Sequence, residues 1–296
     1  MFDRRLQRLT LAASCFLLVS SCATTRQPRA AAVMGPATSN STPQEPAGAP
    51  EGGGDAELAK KLSNPVASLI SVPLQLNYDE NIGRGDDGER WTLNLQPVVP
   101  IGISDDWNVI WRTILPVIDQ QDVIPGDDHQ DGLGDTTLSL FLSPKQPTAG
   151  GLVWGAGPVF LIPTATDDPL GLDQWGIGPT GVVLKQQGRW TYGGLANHLW
   201  KLSGSGDQPD IDQTFLQPFV SYTTPEAWTF TLNSESTYNW KESDWAVPLN
   251  ALVSKLTRFG KLPVSLFGGL RYWLDSAEGG PEDFGLRFGM TLLFPK

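Results

Sequence analysis

Cysteine, charged residues and long apolar runs are all scarce in this sequence. Of its two cysteines, Cys15 falls inside an N-terminal signal, so the mature chain can form no internal disulfide. Charged residues make up 18% of the chain, which leaves little of the usual charged coat. The apolar run in LTLAASCFLLV is too short to cross a bilayer as a helix.

Motifs of catalysis and metal binding are also missing. The sequence contains no HExxH, GxSxG or paired-cysteine pattern, so we predict that the chain is not an enzyme and that it uses no cofactor and no metal. A net charge of −11 disfavours nucleic acid as a partner, because the phosphate backbone would be repelled.

Glycine, proline and tryptophan are what the chain has in quantity. The 32 glycines and 24 prolines are too many for a helical protein, while the pattern of the body is too regular for disorder. Eleven tryptophans are unusually many, and their positions matter below.

The N-terminus has the form of a secretory signal, with basic MFDRRLQRL before the short apolar run. The next residues, VSSC, resemble the bacterial lipobox, so Cys22 is predicted to be lipidated, with ordinary cleavage nearby as the alternative. An Ala/Pro/Gly/Ser-rich stretch follows, which is typical of a flexible tether. The predicted organisation is a signal peptide over 1–21, a disordered tether over 22–55, a short helix over 56–64 and a barrel over 65–296.

The body consists of segments that alternate apolar and polar residues with period two. They lie at 68–78, 90–102, 107–117, 134–144, 151–163, 175–185, 189–200, 212–223, 227–240, 245–256, 263–273 and 283–294. Each has about the length that a tilted strand needs to cross a bilayer, and long and short connections alternate between them. This rhythm predicts an all-β protein: a closed, antiparallel, up-and-down transmembrane barrel of about 12 strands, monomeric, in the outer membrane of a Gram-negative bacterium.

Tryptophan positions support the same interpretation. Nine of the tryptophans fall within a residue or two of a segment end, and only Trp111 and Trp154 lie deeper. Tryptophan prefers the bilayer interface, so two aromatic girdles are predicted, in contact with outer-membrane lipids.

Charged residues inside the segments fall on the polar parity, which we predict faces the lumen. The five are Arg112, Asp135, Glu235, Arg271 and Arg287. They are the predicted lumen or transport residues, with the three arginines set against the two carboxylates in a cross-barrel network. Segments 175–185 and 189–200 have an ambiguous phase.

The final segment, FGLRFGMTLLFPK, alternates large apolar residues with small or polar ones. Ending on Phe294, it resembles the C-terminal signature of outer-membrane barrels, which implies the barrel-assembly machinery as a partner. Because the sheet must close in hydrocarbon, this strand is predicted to pair with the first.

Four stretches, LSNPVASLISVPLQLNYDENIG, GLGDTTLSLFLSP, GPVFLIPTATDD and LRFGMTLLFPK, resemble a family of Gram-negative outer-membrane "transporter" proteins that includes the MetA-pathway-of-phenol-degradation proteins. The resemblance covers nearly all of 65–296, and the GLGD element at 132–135 is its most recognisable part. The resemblance implies a barrel that passes small compounds, a class that can include hydrophobic ones. The lipobox and the tether are departures from that family.

These patterns predict passive diffusion or uptake of a small-molecule solute through a polar lumen. A sealed structural barrel whose acidic outer loops bind cations is the alternative, with DDHQDG at 127–132 loosely resembling a calcium loop. A third possibility is a catalytic Ser–His pair on the barrel wall that uses His198; the other interpretation of His198 is an interfacial residue near Trp200.

Overall fold

The computed structural model describes residues 51–83, 85–124, 126–204 and 209–294, excluding the side chains of 51–53, 127 and 128. Within these ranges, one α-helix, α1 (Glu51–Leu62), precedes twelve transmembrane strands, and a short 3₁₀ turn spans Asp168–Leu170. The strands are β1 (Ile70–Ile82), β2 (Gly88–Leu95 and Val98–Gly102), β3 (Trp107–Ile124), β4 (Asp127–Leu133 and Thr136–Pro144), β5 (Leu152–Ile162), β6 (Gln174–Gln187), β7 (Trp190–Gly204), β8 (Asp212–Thr223), β9 (Trp228–Ser234 and Ser236–Asn239), β10 (Asp244–Phe259), β11 (Leu262–Asp275) and β12 (Asp283–Phe294).

Every strand pairs antiparallel with the strands before and after it, and β12 pairs with β1 to close the barrel. This last seam runs from Ile70 opposite Phe294 to Tyr78 opposite Leu286. Closure leaves no sheet edge, as hydrocarbon requires of a spanning sheet. The predicted closed antiparallel 12-strand barrel and the pairing of its first and last strands are therefore confirmed.

Strand ends agree closely with the predicted segments at 212–223 and 283–294, and differ most at the connection after β3. There the sequence predicts a long polar loop, but β3 and β4 continue as a hairpin in which Gln120 pairs with Gln130 and Gln121 with His129. Gln120 donates from Nε2 to Oε1 of Gln130 at 2.8 Å. Backbone groups and the two side-chain amides supply the hydrogen bonds between these strands, so the hairpin forms without an apolar face.

The outer surface of the barrel is apolar, and aromatic side chains lie near both rims. Phe284, Leu286, Phe288 and Met290 on β12 are exposed on this surface, as are Trp175, Trp190, Trp200, Trp228, Trp240 and Trp245. Trp273 is an exception to the predicted girdle, because it lies inside the barrel with its Nε1 donating to Oδ1 of Asp79 at 2.9 Å. Inward and outward residues thus alternate along the strands, as the sequence pattern indicates.

Helix α1 begins at Glu51 rather than at residue 56 and ends before the Asn64–Pro65 pair, where proline disfavours further helix. Its end is tied to the wall by Gln186 Nε2, which donates to the carbonyl oxygen of Lys60 at 2.9 Å. No helix among the described ranges is long and apolar enough to cross a membrane. The predicted signal peptide, Cys22 and residues 22–50 of the tether lie outside the described residues.

The segment after α1 enters the barrel interior and packs against its wall. Val66 packs in a buried cluster with Ile110, Phe141, Val182, Leu184 and Leu195 from β3, β4, β6 and β7. A second cluster, of Val159, Leu161, Leu199 and Ile211, is joined by Leu172. The inward face of β3 to β7, called the apolar half below, therefore holds these two apolar clusters, alongside buried polar residues such as Asn108, Ser139 and Thr180. The buried charges lie on β8 to β12 with β1 and β2, which are called the polar half.

Gly289 tests the closing seam. An added Cβ would lie 2.0 Å from the Leu74 carbonyl oxygen and 2.7 Å from Cζ of Phe267. We expect Gly289→Ala to lower the free energy of unfolding by about 1–3 kcal/mol, because backbone or ring must shift. Urea unfolding in lipid vesicles measures this. Gly150→Ala, whose nearest neighbouring atom would be 3.9 Å away, is the control, and equal loss in both would contradict close packing at the seam.

Phe288 tests the outward surface. It lies mid-strand on β12 and is 37% exposed. Phe288→Arg should lower the free energy of unfolding by about 2–4 kcal/mol in vesicles, because a lipid-facing cation loses its hydration. Phe288→Leu keeps the position apolar and should change it far less. A Phe288→Arg protein as stable as Phe288→Leu would mean that this surface does not face lipid.

Candidate functional site

The polar half of the interior is organised by ion pairs across strands that are not neighbours. Glu235 on β9 accepts hydrogen bonds from both terminal nitrogens of Arg287 on β12, at 2.8 and 2.7 Å. Arg271 on β11 bridges Asp79 on β1 at 3.0 Å and Glu235 at 3.4 Å. Such contacts can be made only through the barrel interior. Two guanidinium groups therefore share two carboxylates, and the four charges balance.

Further polar and aromatic groups surround these charges, and among the described residues only Nε of Arg271 is a buried guanidinium nitrogen without a hydrogen-bond partner. Arg287 Nε donates to Oδ1 of Asn77 at 2.7 Å, and the Arg271 guanidinium lies 4.7 Å from the ring centroid of Trp273. Arg287 is 1% exposed and Arg271 is 8% exposed. Buried arginines of this kind are stable only when they are paired and hydrogen-bonded.

The position of Glu235 follows from a local break in the ladder. The register of β9 on β10 places Glu235 opposite Pro248, which has no N–H to donate. Strand β9 is interrupted at this residue, and β10 shifts its register on β11 between Val247 and Pro248. The side chain of Ser234 takes up the freed carbonyl oxygen of Pro248, at 2.8 Å. Glu235 thus lies on the inward face between Asn233 and Thr237.

Asp79 is the partner that sequence reasoning missed, because segment one was predicted to end at residue 78. Strand β1 runs on to Ile82, and Asp79 continues the inward parity of Gln75 and Asn77. That parity was visible in the sequence and could have identified it.

Asp135 was predicted to join the cross-barrel network, and this was wrong. Its carboxylate accepts hydrogen bonds from the backbone nitrogens of Ala165 at 3.2 Å and Leu172 at 2.7 Å. It holds the connection between β5 and β6 against β4, so the GLGD element positions this loop. The transport role assigned to the other four charges stays a prediction.

A cavity of about 280 Å³ lies in the polar half, between the segment after α1 and the wall. Arg112 on β3 lines it, and Nη2 of Arg112 donates to Oε1 of Gln96 at 3.4 Å. Its lining is mixed: Ser, Thr, Asn and Gln side chains alternate with apolar residues, among them Leu62, Leu69, Val98, Phe219, Leu252 and Phe267. The predicted polar lumen is therefore a defined chamber rather than the whole interior.

His198 faces outward near one rim of the barrel. Its ring packs against Trp200 with the ring centroids 4.2 Å apart and the planes tilted by 52°. Nδ1 lies 2.7 Å from Oγ1 of Thr214, and Nε2 lies 3.3 Å from Oδ1 of Asp212. The hydroxyl group of Thr214 also accepts from Nε1 of Trp240 at 2.9 Å. His198 therefore lies at the interfacial position that was its other interpretation. The hydroxyl group beside its ring belongs to Thr214, whereas the catalytic hypothesis requires a serine.

The DDHQDG stretch, considered as a calcium loop, lies in the β3–β4 hairpin, where His129 Nε2 is 3.6 Å from Oδ1 of Asp131. Within the described ranges, no three His, Cys, Asp or Glu side chains are grouped so as to hold a metal ion.

No protein-family model and no curated protein matches the chain. Among solved structures, an outer membrane channel from Pseudomonas putida F1 is similar at a TM-score of 0.60 and 14% identity, covering 77% of this chain and 96% of that one. This likeness shows a shared fold. The fold, with its apolar outer surface, is that of a Gram-negative outer-membrane barrel.

Two further similar structures are the outer membrane phospholipase of Salmonella typhi, a dimer with bound calcium, and outer membrane phospholipase A of Escherichia coli. Their TM-scores are 0.44 and 0.41 and their identities 12% and 11%; they cover 82% and 76% of this chain and 98% and 96% of their own. The prediction that the chain is not an enzyme was wrong to exclude catalysis from the lack of motifs, because barrels of similar fold include the two phospholipases. Likenesses this low carry no inference about its own activity.

Glu235 tests the network. Glu235→Gln leaves Arg287 and Arg271 short of a counter-charge, so the free energy of unfolding should fall by about 3–5 kcal/mol. The double variant Glu235→Gln/Arg287→Gln should recover part of that loss, because it also removes the uncompensated cation. Urea unfolding in vesicles measures both. Losses that simply add would show that the two side chains are not coupled.

Proposed function

We propose that this protein is an outer-membrane channel for the passive passage of small solutes, with the polar half of its interior as the route. The observation that carries the proposal is the chamber of about 280 Å³ beside the ion-pair network. A barrel made only for structural strength would be expected to fill this space with side chains, as the apolar half does around Val66.

The segment after α1 would narrow the route at one end. Leu62, Asn64 and Leu69 line the chamber, and Ala59 and Leu69 pack on Ala227, Leu256 and Leu293 of the wall. Arg258 holds the helix through Asp55, with Nε 3.1 Å from Oδ1. Solute flux would therefore be slow and selective by size, as in a narrow pore rather than a wide porin.

Two likenesses support the proposal. The sequence resembles the transporter family that includes phenol-degradation proteins, and the fold is shared with a channel from Pseudomonas putida F1. We extend the proposal to its partners: lipids around the girdles, a small solute in the chamber and the barrel-assembly machinery at the strand that ends in Phe294. A lipid on Cys22 would anchor the N-terminus to the membrane.

Permeation by the purified full chain is the direct test, through swelling of liposomes in small sugars and amino acids and conductance in planar bilayers. We expect measurable but low permeability that falls steeply with solute size. A barrel shown to be folded by its heat-modifiable migration, yet impermeable to every solute and without conductance, would refute the proposal.

A pair of adjacent residues on β9 tests the route itself. Thr231 lines the chamber, whereas Phe230 is 53% exposed on the outer surface. Thr231→Trp should reduce conductance several-fold, because the indole would occupy the chamber. Phe230→Trp adds the same ring outside and should leave conductance unchanged. Equal conductance in the two variants would place the route elsewhere.

A further inference from the structure

Arg112 differs from the other two interior arginines of the predicted network. Arg271 and Arg287 share Asp79 and Glu235, whereas for Arg112 the described residues place no carboxylate oxygen within 4.0 Å. Glu235 acts on it only at longer range, and both Glu235 oxygens are already bonded to Arg287. Of the five N–H groups that a guanidinium offers, one makes a long hydrogen bond to Gln96.

Arg112 also lies where a ligand could reach it. It is half-buried and lines the chamber, and its nitrogens are not among the fully buried atoms that lack a hydrogen-bond partner. The chamber's charged lining residues are Arg112 and Lys61, and among the described residues no aspartate or glutamate lines it. A positive chamber in a chain of net charge −11 is the reverse of what composition predicts.

The rest of the lining indicates the kind of anion. Gln75, Gln96, Gln217 and Asn233 supply amide groups, and Phe219 and Phe267 supply aromatic surface. One guanidinium pairs bidentately with one carboxylate and balances its single negative charge, whereas a phosphate monoester carries a charge of about −1.5 to −2. The volume of about 280 Å³ is near the lower limit of small-molecule pockets, which suits a solute with a single ring.

We propose that the chamber is a binding site for a small monocarboxylate with an apolar body, and that Arg112 pairs with its carboxylate. This deepens the channel proposal by naming the class of solute, and rests on it for the role of the site in passage. Side-chain amide N–H groups donate to the remaining lone pairs of the carboxylate, and the rings of Phe219 and Phe267 contact the apolar body.

The test compares three solutes of one shape with the full chain in detergent: benzoate, neutral benzamide and cationic benzylammonium, by isothermal titration calorimetry. We expect benzoate to bind about tenfold or more tightly than benzamide, since charge-assisted hydrogen bonds are the stronger kind, and benzylammonium to bind least. Arg112→Gln should bring benzoate down to the affinity of benzamide. Arg112→Lys should retain part of the preference, because it keeps the charge without the planar fork.

Arg189→Gln is the matched control, because it removes one positive charge at the exposed turn between β6 and β7, and it should leave benzoate affinity unchanged. Wild-type protein that binds benzoate no more tightly than benzamide overturns the inference, and so does an unchanged preference in Arg112→Gln. Should that variant not fold, Arg112→Lys and the wild-type comparison decide.

Binding at equilibrium separates this inference from the channel proposal. If the protein binds benzoate but passes no solute, the binding site is supported and the channel proposal is refuted. Protein that passes neutral solutes without preferring benzoate would keep the channel and refute the site. Liposome swelling in small sugars and amino acids, measured beside the titrations, distinguishes these outcomes.

Discussion

The pairing of backbone groups in hydrocarbon is the constraint on which the other features of this molecule depend. Lipid offers no hydrogen-bond partner, so each strand must be bonded on both sides, and β12 returns to β1 along Ile70–Tyr78. Closure in turn forces successive side chains to alternate between lipid and interior. Charged groups can then be placed only inside, and a cross-barrel ion-pair network becomes the economical way to hold them.

Much of the fold could be predicted because the two faces of most strands differ in polarity. Strand ends at 212–223 and 283–294 agree with the sequence pattern for that reason. Prediction failed where both faces are alike. The β3–β4 hairpin is polar on both sides, so Gln120 and Gln130 were assigned to a loop, and Val182–Leu184 on β6 is apolar on both sides, which hid its phase.

The interior was harder to predict than the wall. Parity alone places Arg271 and Arg287 on the inward face, but the identity of their partners depends on how strands stagger around the barrel. That information is three-dimensional, so Asp135 was chosen where Asp79 belongs. The polar lumen was predicted, but its extent was not, because one wall of the chamber is a short segment near the N-terminus with only a weak pattern. The route of that segment inward is set by contacts from distant strands.

The burial of Val66 means that one segment of this protein folds in a different order from the order in which it is synthesised. Its neighbours Ile110, Phe141, Leu184 and Leu195 come from strands made later in the chain, and they come together only when β3 to β7 have paired. The segment that leaves the ribosome before any strand can therefore reach its final place only after the strands have joined. The part of the barrel interior that is synthesised first is therefore the last to reach its folded position.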